Sequence, residues 1–188
     1  LSDYPQALTY LLKALAISEE IGRKHGIASS LGNIGSVYQN LSDYPQALTY
    51  YQKALAINEE IGSKDGIARN LGNIGGLYAN KEFDGYDPAK AEAMMLKAMA
   101  MFEEIGEKRQ LYHVHKSLAD LYEKEGNTTQ ELYHFKKYHE LKDAVQSEDA
   151  HKQAGLMEQR RQAAEREKEI AIAHAAASAR HEATVHLL

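Results

Sequence analysis

Leu41–Asn80 reads LSDYPQALTYYQKALAINEEIGSKDGIARNLGNIGGLYAN, and residues 1–40 read LSDYPQALTYLLKALAISEEIGRKHGIASSLGNIGSVYQN. The two stretches differ at ten positions: 11, 12, 18, 23, 25, 29, 30, 36, 37 and 39 of the first copy. A repeat this close identifies one supersecondary unit, copied and stacked on itself. Within 27–62, Leu31, Ile34, Val37 and Tyr38 recur at three- and four-residue spacing, which predicts one amphipathic helix. Ala47, Tyr50, Tyr51, Ala54, Ile57 and Ile61 predict a second. Between them, Ser42 or Asp43 suits the helix N-cap and Pro45 its first turn. Gly62 and Gly66 bracket a short return to the next helix.

This pattern resembles the tetratricopeptide repeat. Leu31, Ile34, Gly35 and Tyr38 match the family's first helix, and Ala47, Tyr51 and Ala54 match its second. All seven places recur in the following copy as Leu71, Ile74, Gly75, Tyr78, Ala91, Met95 and Ala98. The period departs from the usual ~34 residues: it is 40, and Glu59 stands where the family has a helix-ending proline. The second helix is therefore expected to be longer, a variant resembling the long repeats of kinesin light chains, spindle-orientation adaptors and bacterial signalling proteins. The implied fold is all-α: a right-handed superhelix, or α-solenoid, of about seven repeat helices, followed by one long C-terminal helix.

The domain reading follows. Residues 1–146 hold a half repeat at 1–22 and repeats at about 27–66, 67–107 and 108–146; 147–188 form a helical, coiled-coil-like linker. In the half repeat, Ala7, Leu11 and Ala14 take the places of Ala47, Tyr51 and Ala54, so an apolar face is expected to stand open. The turn-rich stretch 81–88, KEFDGYDP, is expected to protrude as a mobile loop. The last repeat is degenerate: Leu118, Ala119, Tyr122 and Phe135 hold the pattern, but Glu131 and Tyr138 stand where alanines belong. Beginning at Leu1 without a methionine, halfway through a repeat, the sequence reads as a fragment of a longer chain.

The tail contains no proline and is dominated by strong helix formers. A thin heptad runs through Leu156, Ala163, Ile170 and Ala177, with Gln159, Arg166 and Arg180 at the other apolar position. A helix of about 60 Å, at 1.5 Å per residue, needs a partner to persist. A homodimer through this helix is expected; the alternative is a monomer whose tail docks on a repeat. The stretch from Tyr138 to Val145, the charged helix ending at Ile170 and the segment 181–188 resemble the junction after the repeats in bacterial sensor proteins. That resemblance implies a sensor or regulatory scaffold in a larger signalling protein, with a class III adenylate or guanylate cyclase as output. The regulatory region of a histidine kinase and a stand-alone scaffold or adaptor are the alternatives.

No catalytic, cofactor or metal constellation is legible. His113 and His115 are two apart and point about 200° apart on a helix. Neither His139-Glu140 nor the stretch from His181 to His186 has zinc-protease spacing. The nine histidines read as structural or solvent-facing. The glycines at 32–35 are not followed by the lysine of a phosphate loop. There is no cysteine, and the net charge of −5 argues against nucleic acid as partner. No membrane span is visible in this fragment, and a cytoplasmic location is expected.

What remains is a surface for a protein or peptide ligand. In the resembled family the first helices line a concave groove. By that register the groove holds Asn33, Ser36 and Asn40 in repeat two, Arg69, Asn73 and Asn80 in repeat three, and His113, Lys116 and Asp120 in repeat four. The stacked pair Asn33 and Asn73 offers donors and acceptors to the main chain of an extended peptide. With only Arg69 and Lys116 as cations, a grip on a terminal carboxylate is disfavoured.

Overall fold

The computed structural model describes residues 3–185, with side chains through residue 171. Seven helices are present among the described residues: α1 (Tyr4–Glu20), α2 (Lys24–Asn40), α3 (Tyr44–Glu60), α4 (Lys64–Tyr78), α5 (Pro88–Ile105), α6 (Lys108–Lys124) and α7 (Thr128–Val185). No strand occurs among those residues. The chain divides into two units, residues 1–142 and 143–188.

In the first unit each helix packs on the next, and the odd helices alternate with the even ones as the two members of a repeat. The local chemistry sets the boundaries. Asp3, Asp43 and Asp87 accept the backbone N–H of Gln6, Gln46 and Lys90 at 3.0–3.2 Å. Each precedes a proline in the first helical turn, where the missing N–H costs nothing. After α1, α3, α5 and α6 the chain reverses through Gly22, Gly62, Gly106 and Gly126, all with φ between 66 and 75°. Ser42 takes the same left-handed conformation after α2, with φ 60°.

The 40-residue period is filled by two 17-residue helices and two three-residue turns. The extra length expected in the second helix is therefore shared. The first helix starts at Lys24 and Lys64 rather than near 27 and 67, and Gly66 lies inside α4, its N–H on Ser63 Oγ at 3.3 Å.

Large residues meet small ones across the helices. Ala47, Ala54, Ala91 and Ala98 are wholly buried, as are Ile34, Tyr51, Ile74 and Met95. A Cβ on Gly35 would stand 2.7 Å from the Tyr51 ring, and one on Gly75 would stand 2.9 Å from Met95 Cγ. At the start of the chain the face of α1 stands open: Ala7 and Leu11 are half-buried and Ala14 is exposed, unlike their counterparts in α3.

Two expectations are corrected. The stretch 81–88 is anchored rather than protruding. Phe83 is buried against the rings of Tyr44 and Tyr78, with centroids 6.1 and 5.9 Å away. Phe83 N donates to Asn80 O at 3.1 Å, Tyr86 N to Phe83 O at 2.8 Å, and the Tyr44 hydroxyl to Glu82 at 2.8 Å. Amides of Phe83 and Tyr86 are therefore expected to exchange far more slowly than unstructured-chain rates in hydrogen-exchange mass spectrometry. Second, Phe135 does not hold the last repeat helix: it is 51% exposed, and His134 is buried in its stead. Glu131 and Tyr138 occupy the alanine places, and in this part of α7 His134 and Val145 are buried while Tyr138 and Leu141 are half-buried.

The last repeat helix and the tail are one element, α7. In the second unit every residue from 146 to 171 is exposed, including Leu156, Met157 and Ile170. Arg161 pairs with Glu158 at 2.9 Å and Glu165 at 3.5 Å along a solvated face. Ala177, Arg180 and the stretch 181–188 lie outside the residues whose side chains are described.

Candidate binding groove

The first helices of successive repeats, α2, α4 and α6, lie side by side. Between them is an open groove of about 510 Å³. Glycines shape it: Gly32 and Gly72 keep its walls low, with no neighbour closer than 3.6 Å to where a Cβ would stand.

Five of the nine groove residues expected from sequence line this cavity: Asn33, Ser36, Arg69, Asn73 and His113. Asn40, Asn80, Lys116 and Asp120 lie outside it. Asn40 ends α2 and turns its amide back onto Ser36 O at 2.8 Å. Asn80 follows α4 and accepts the N–H of Glu82 at 3.0 Å. Lys116 and Asp120 are exposed on α6.

The groove is electrically quiet. Arg69 Nε donates to both oxygens of Asp65, at 2.8 and 3.0 Å, one helical turn away. Burial, then the charges of Lys116 and Arg109, hold the His113 imidazole below its ordinary range, so it is neutral at pH 7.

Asn58, Ser63, Asn70, His25 and Gln110 also line the cavity and were not singled out from the sequence. A signal for most of them was present. The residues that line the groove in the duplicated region occupy ten places of the repeat. Six of those ten differ between the copies: 18/58, 23/63, 25/65, 29/69, 30/70 and 36/76. Only four of the thirty other places differ. Exposed residues elsewhere, such as Gln46, Thr49, Lys53, Glu59 and Glu60, are identical to their counterparts. Exposure alone therefore does not explain where the copies diverge.

Among the described residues no group of three or more His, Asp or Glu is placed to hold a metal ion. Among the same residues no helix is long and apolar enough to cross a membrane.

Residues 1–60 and 26–84 match the family model described as tetratricopeptide repeat. No curated protein matches the sequence. Among solved structures, the chain is similar to the crystal structure of BtubC (BKLC) from P. vanneervenii, with a TM-score of 0.63 and 20% identity. That likeness covers 76% of this chain and 58% of that one. The fold is that of a tetratricopeptide α-solenoid.

Proposed function

Taking residues 1–84 as tetratricopeptide repeats, we propose that the concave groove binds an extended segment of a protein partner. The observation that carries this reading is the concentration of differences between near-identical repeats on the groove. Packing holds the helical frame constant, while the face between α2, α4 and α6 is specialised place by place. Asn33 and Asn73, one repeat apart, make no side-chain hydrogen bond within the described chain, so both amides are free for a peptide main chain. The protein acts by binding, without catalysis of its own.

The test is affinity selection of a displayed random decapeptide library on the purified protein. Asn33→Ala/Asn73→Ala is expected to weaken the selected peptides by about tenfold, the worth of one or two net hydrogen bonds. Undiminished binding would remove both asparagines from the site.

The exposed tail supports a second element of the proposal, self-association through α7. Leu156, Ala163 and Ile170 follow a heptad, but charged and polar residues share its seam, so the pair is weak. Sedimentation is expected to show a dimer that forms only at high concentration and disappears when residues 150–188 are removed. A monomer at every concentration would refute it. The resemblance of 138–188 to sensor-protein junctions supports the wider reading: a cytoplasmic sensor or scaffold in a larger bacterial signalling protein, with a nucleotide cyclase as output. A histidine kinase region and a stand-alone adaptor remain the alternatives, and the open reading frame beyond Leu188 decides among them.

A further inference from the structure

The floor of the groove carries a polar group that the fold leaves unused. Asn58 sits near the end of α3, 4% exposed, and lines the cavity. Its amide lies against Gly66 of α4: a Cβ there would stand 2.2 Å from Asn58 Oδ1 and 2.4 Å from Cγ. That amide makes no hydrogen bond to any described residue. No enclosed side-chain nitrogen or oxygen lacks a partner among the described residues, so the Asn58 amide atoms open into the groove. Beside it, Asn70 is 5% exposed. Its Nδ2 donates to Gly66 O at 2.8 Å, while Oδ1 faces Gly32 of α2 and accepts nothing. An amide set in the groove floor with no partner in the described chain is left to bond water or a ligand.

The next repeat replaces this pair. Phe102 and Val114 stand at the places of Asn58 and Asn70 and line the same groove. The floor thus passes from polar and uncharged to apolar within one repeat.

From this arrangement, and resting on the peptide-groove reading above, we infer that Asn58 and Asn70 form a subsite for a carboxamide side chain of the bound peptide, beside a subsite for an apolar side chain at Phe102 and Val114. A carboxamide presents one acceptor and two donors, the complement of the free Asn58 amide and the Asn70 oxygen. A carboxylate or an ammonium group would lose its hydration against neutral amides without gaining a counter-charge, because Arg69 and Asp65 neutralise each other. Neighbouring helices are about 8–10 Å apart, and a polyproline II chain, which returns a side chain to the same face every three residues, advances about 3.1 Å per residue. The two side chains therefore stand about three residues apart.

The probes are fluorescein-labelled heptapeptides of serine carrying Gln-Ser-Ser-Leu or its reverse, with Glu and Ala versions at the Gln position. In the wild type the better Gln peptide is expected to bind about tenfold tighter than its Glu and Ala versions. Asn58→Leu and Asn58→Ser should both erase that preference. Serine is the residue of the first copy at this place, Ser18 beside Gly26. Asn58→Leu, which keeps the branched shape packed against Gly66, should not melt at a lower temperature, because the amide it replaces bonds nothing. Equal binding of all versions, a preference for Glu, or a preference that survives both substitutions would overturn the inference. So would a marked loss of stability in both variants, which would make Asn58 structural. If the peptides bind alike and Asn33→Ala/Asn73→Ala weakens them all, the groove reading stands and only the carboxamide subsite falls. If none binds at millimolar concentration, both fall.

Discussion

Tyr51→Ala is expected to lower the unfolding free energy by about 3–5 kcal/mol, the range for losing a fully buried aromatic side chain. Tyr51 is 1% exposed and among the largest side chains sealed in the first unit. Its ring lies against Gly35, where an added Cβ would meet Cδ1 and Cε1 at 2.7 and 2.8 Å. Its hydroxyl donates to Gln39 Oε1 at 2.8 Å and lies 3.0 Å from Ser36 Oγ. Tyr51→Phe keeps the ring and should cost about 1 kcal/mol, the worth of one net hydrogen bond. Gly35→Ala should destabilise by roughly 1–3 kcal/mol despite alanine's better helix propensity, because the ring has no room to retreat. In a Tyr51→Leu background that cost should shrink, since the clashing atoms are gone. Gly76→Ala is the control of opposite sign: nothing lies within 4 Å of its added Cβ. It should stabilise by up to about 1 kcal/mol through propensity alone. Urea midpoints of the six variants, the Tyr51→Leu background included, measure all of this. A stabilising Gly35→Ala would refute the close packing of α2 on α3.

Stability is expected to fall as pH drops from about 6.5 towards 4, because of one buried pair. His115 on α6 and His134 on α7 are 4% and 3% exposed, and their Nδ1 atoms are 2.8 Å apart. One ring donates and the other accepts, so the pair is satisfied only while at least one ring is neutral. Burial first, then the neighbouring His134 and Lys137, push His115 down to about 4. Burial also lowers His134, partly opposed by Glu92 on α5. Tyr122 stacks on His134, and its hydroxyl donates to Glu92, holding that carboxylate beside the pair. The sign follows from proton counts. Between pH 6.5 and 4 the unfolded chain binds a proton that the folded His115 refuses, so stability rises with pH across that window. The contribution is complete above the ordinary imidazole range and is lost on acidification. Its size is on the order of 3 kcal/mol, at about 1.4 kcal/mol for each tenfold loss of proton affinity. His115→Leu/His134→Met restores the residues that the preceding repeat carries at these places, Leu71 and Met94. That variant should unfold with little change between pH 7 and 4.5. An equal acid sensitivity in the variant would place the effect elsewhere.

The frame of the molecule is legible in the order of residues. Leu31, Ile34, Gly35, Ala47 and Ala54 recur at fixed spacing, with Tyr51 at a place that the other copies fill with Leu11 and Met95, and all six are buried. Helical periodicity suffices to find them, because it assigns each residue a face. The register of the resembled family puts Asn33, Ser36, Arg69, Asn73 and His113 on the groove side, and these five line one cavity. The same register fails at the ends of helices. Asn40 and Asn80 satisfy themselves on nearby backbone, a local competition that periodicity ignores.

By itself, the sequence determined the helical class, the repeat, its capping prolines and glycines, and the large-on-small pairing of successive helices. These depend on contacts within or between adjacent elements, where spacing along the chain stands in for distance. Tertiary structure alone decided three other things: that Asn58 reaches the groove floor under Gly66, that Phe83 fastens the long turn against Tyr44 and Tyr78, and that His115 meets His134. Each joins residues on different elements whose meeting depends on how far one helix is shifted and turned against another. Side-chain volume bears on that adjustment: Gly66 admits an amide, and in α7, where Glu131 and Tyr138 stand in the alanine places, His134 is buried and Phe135 is not.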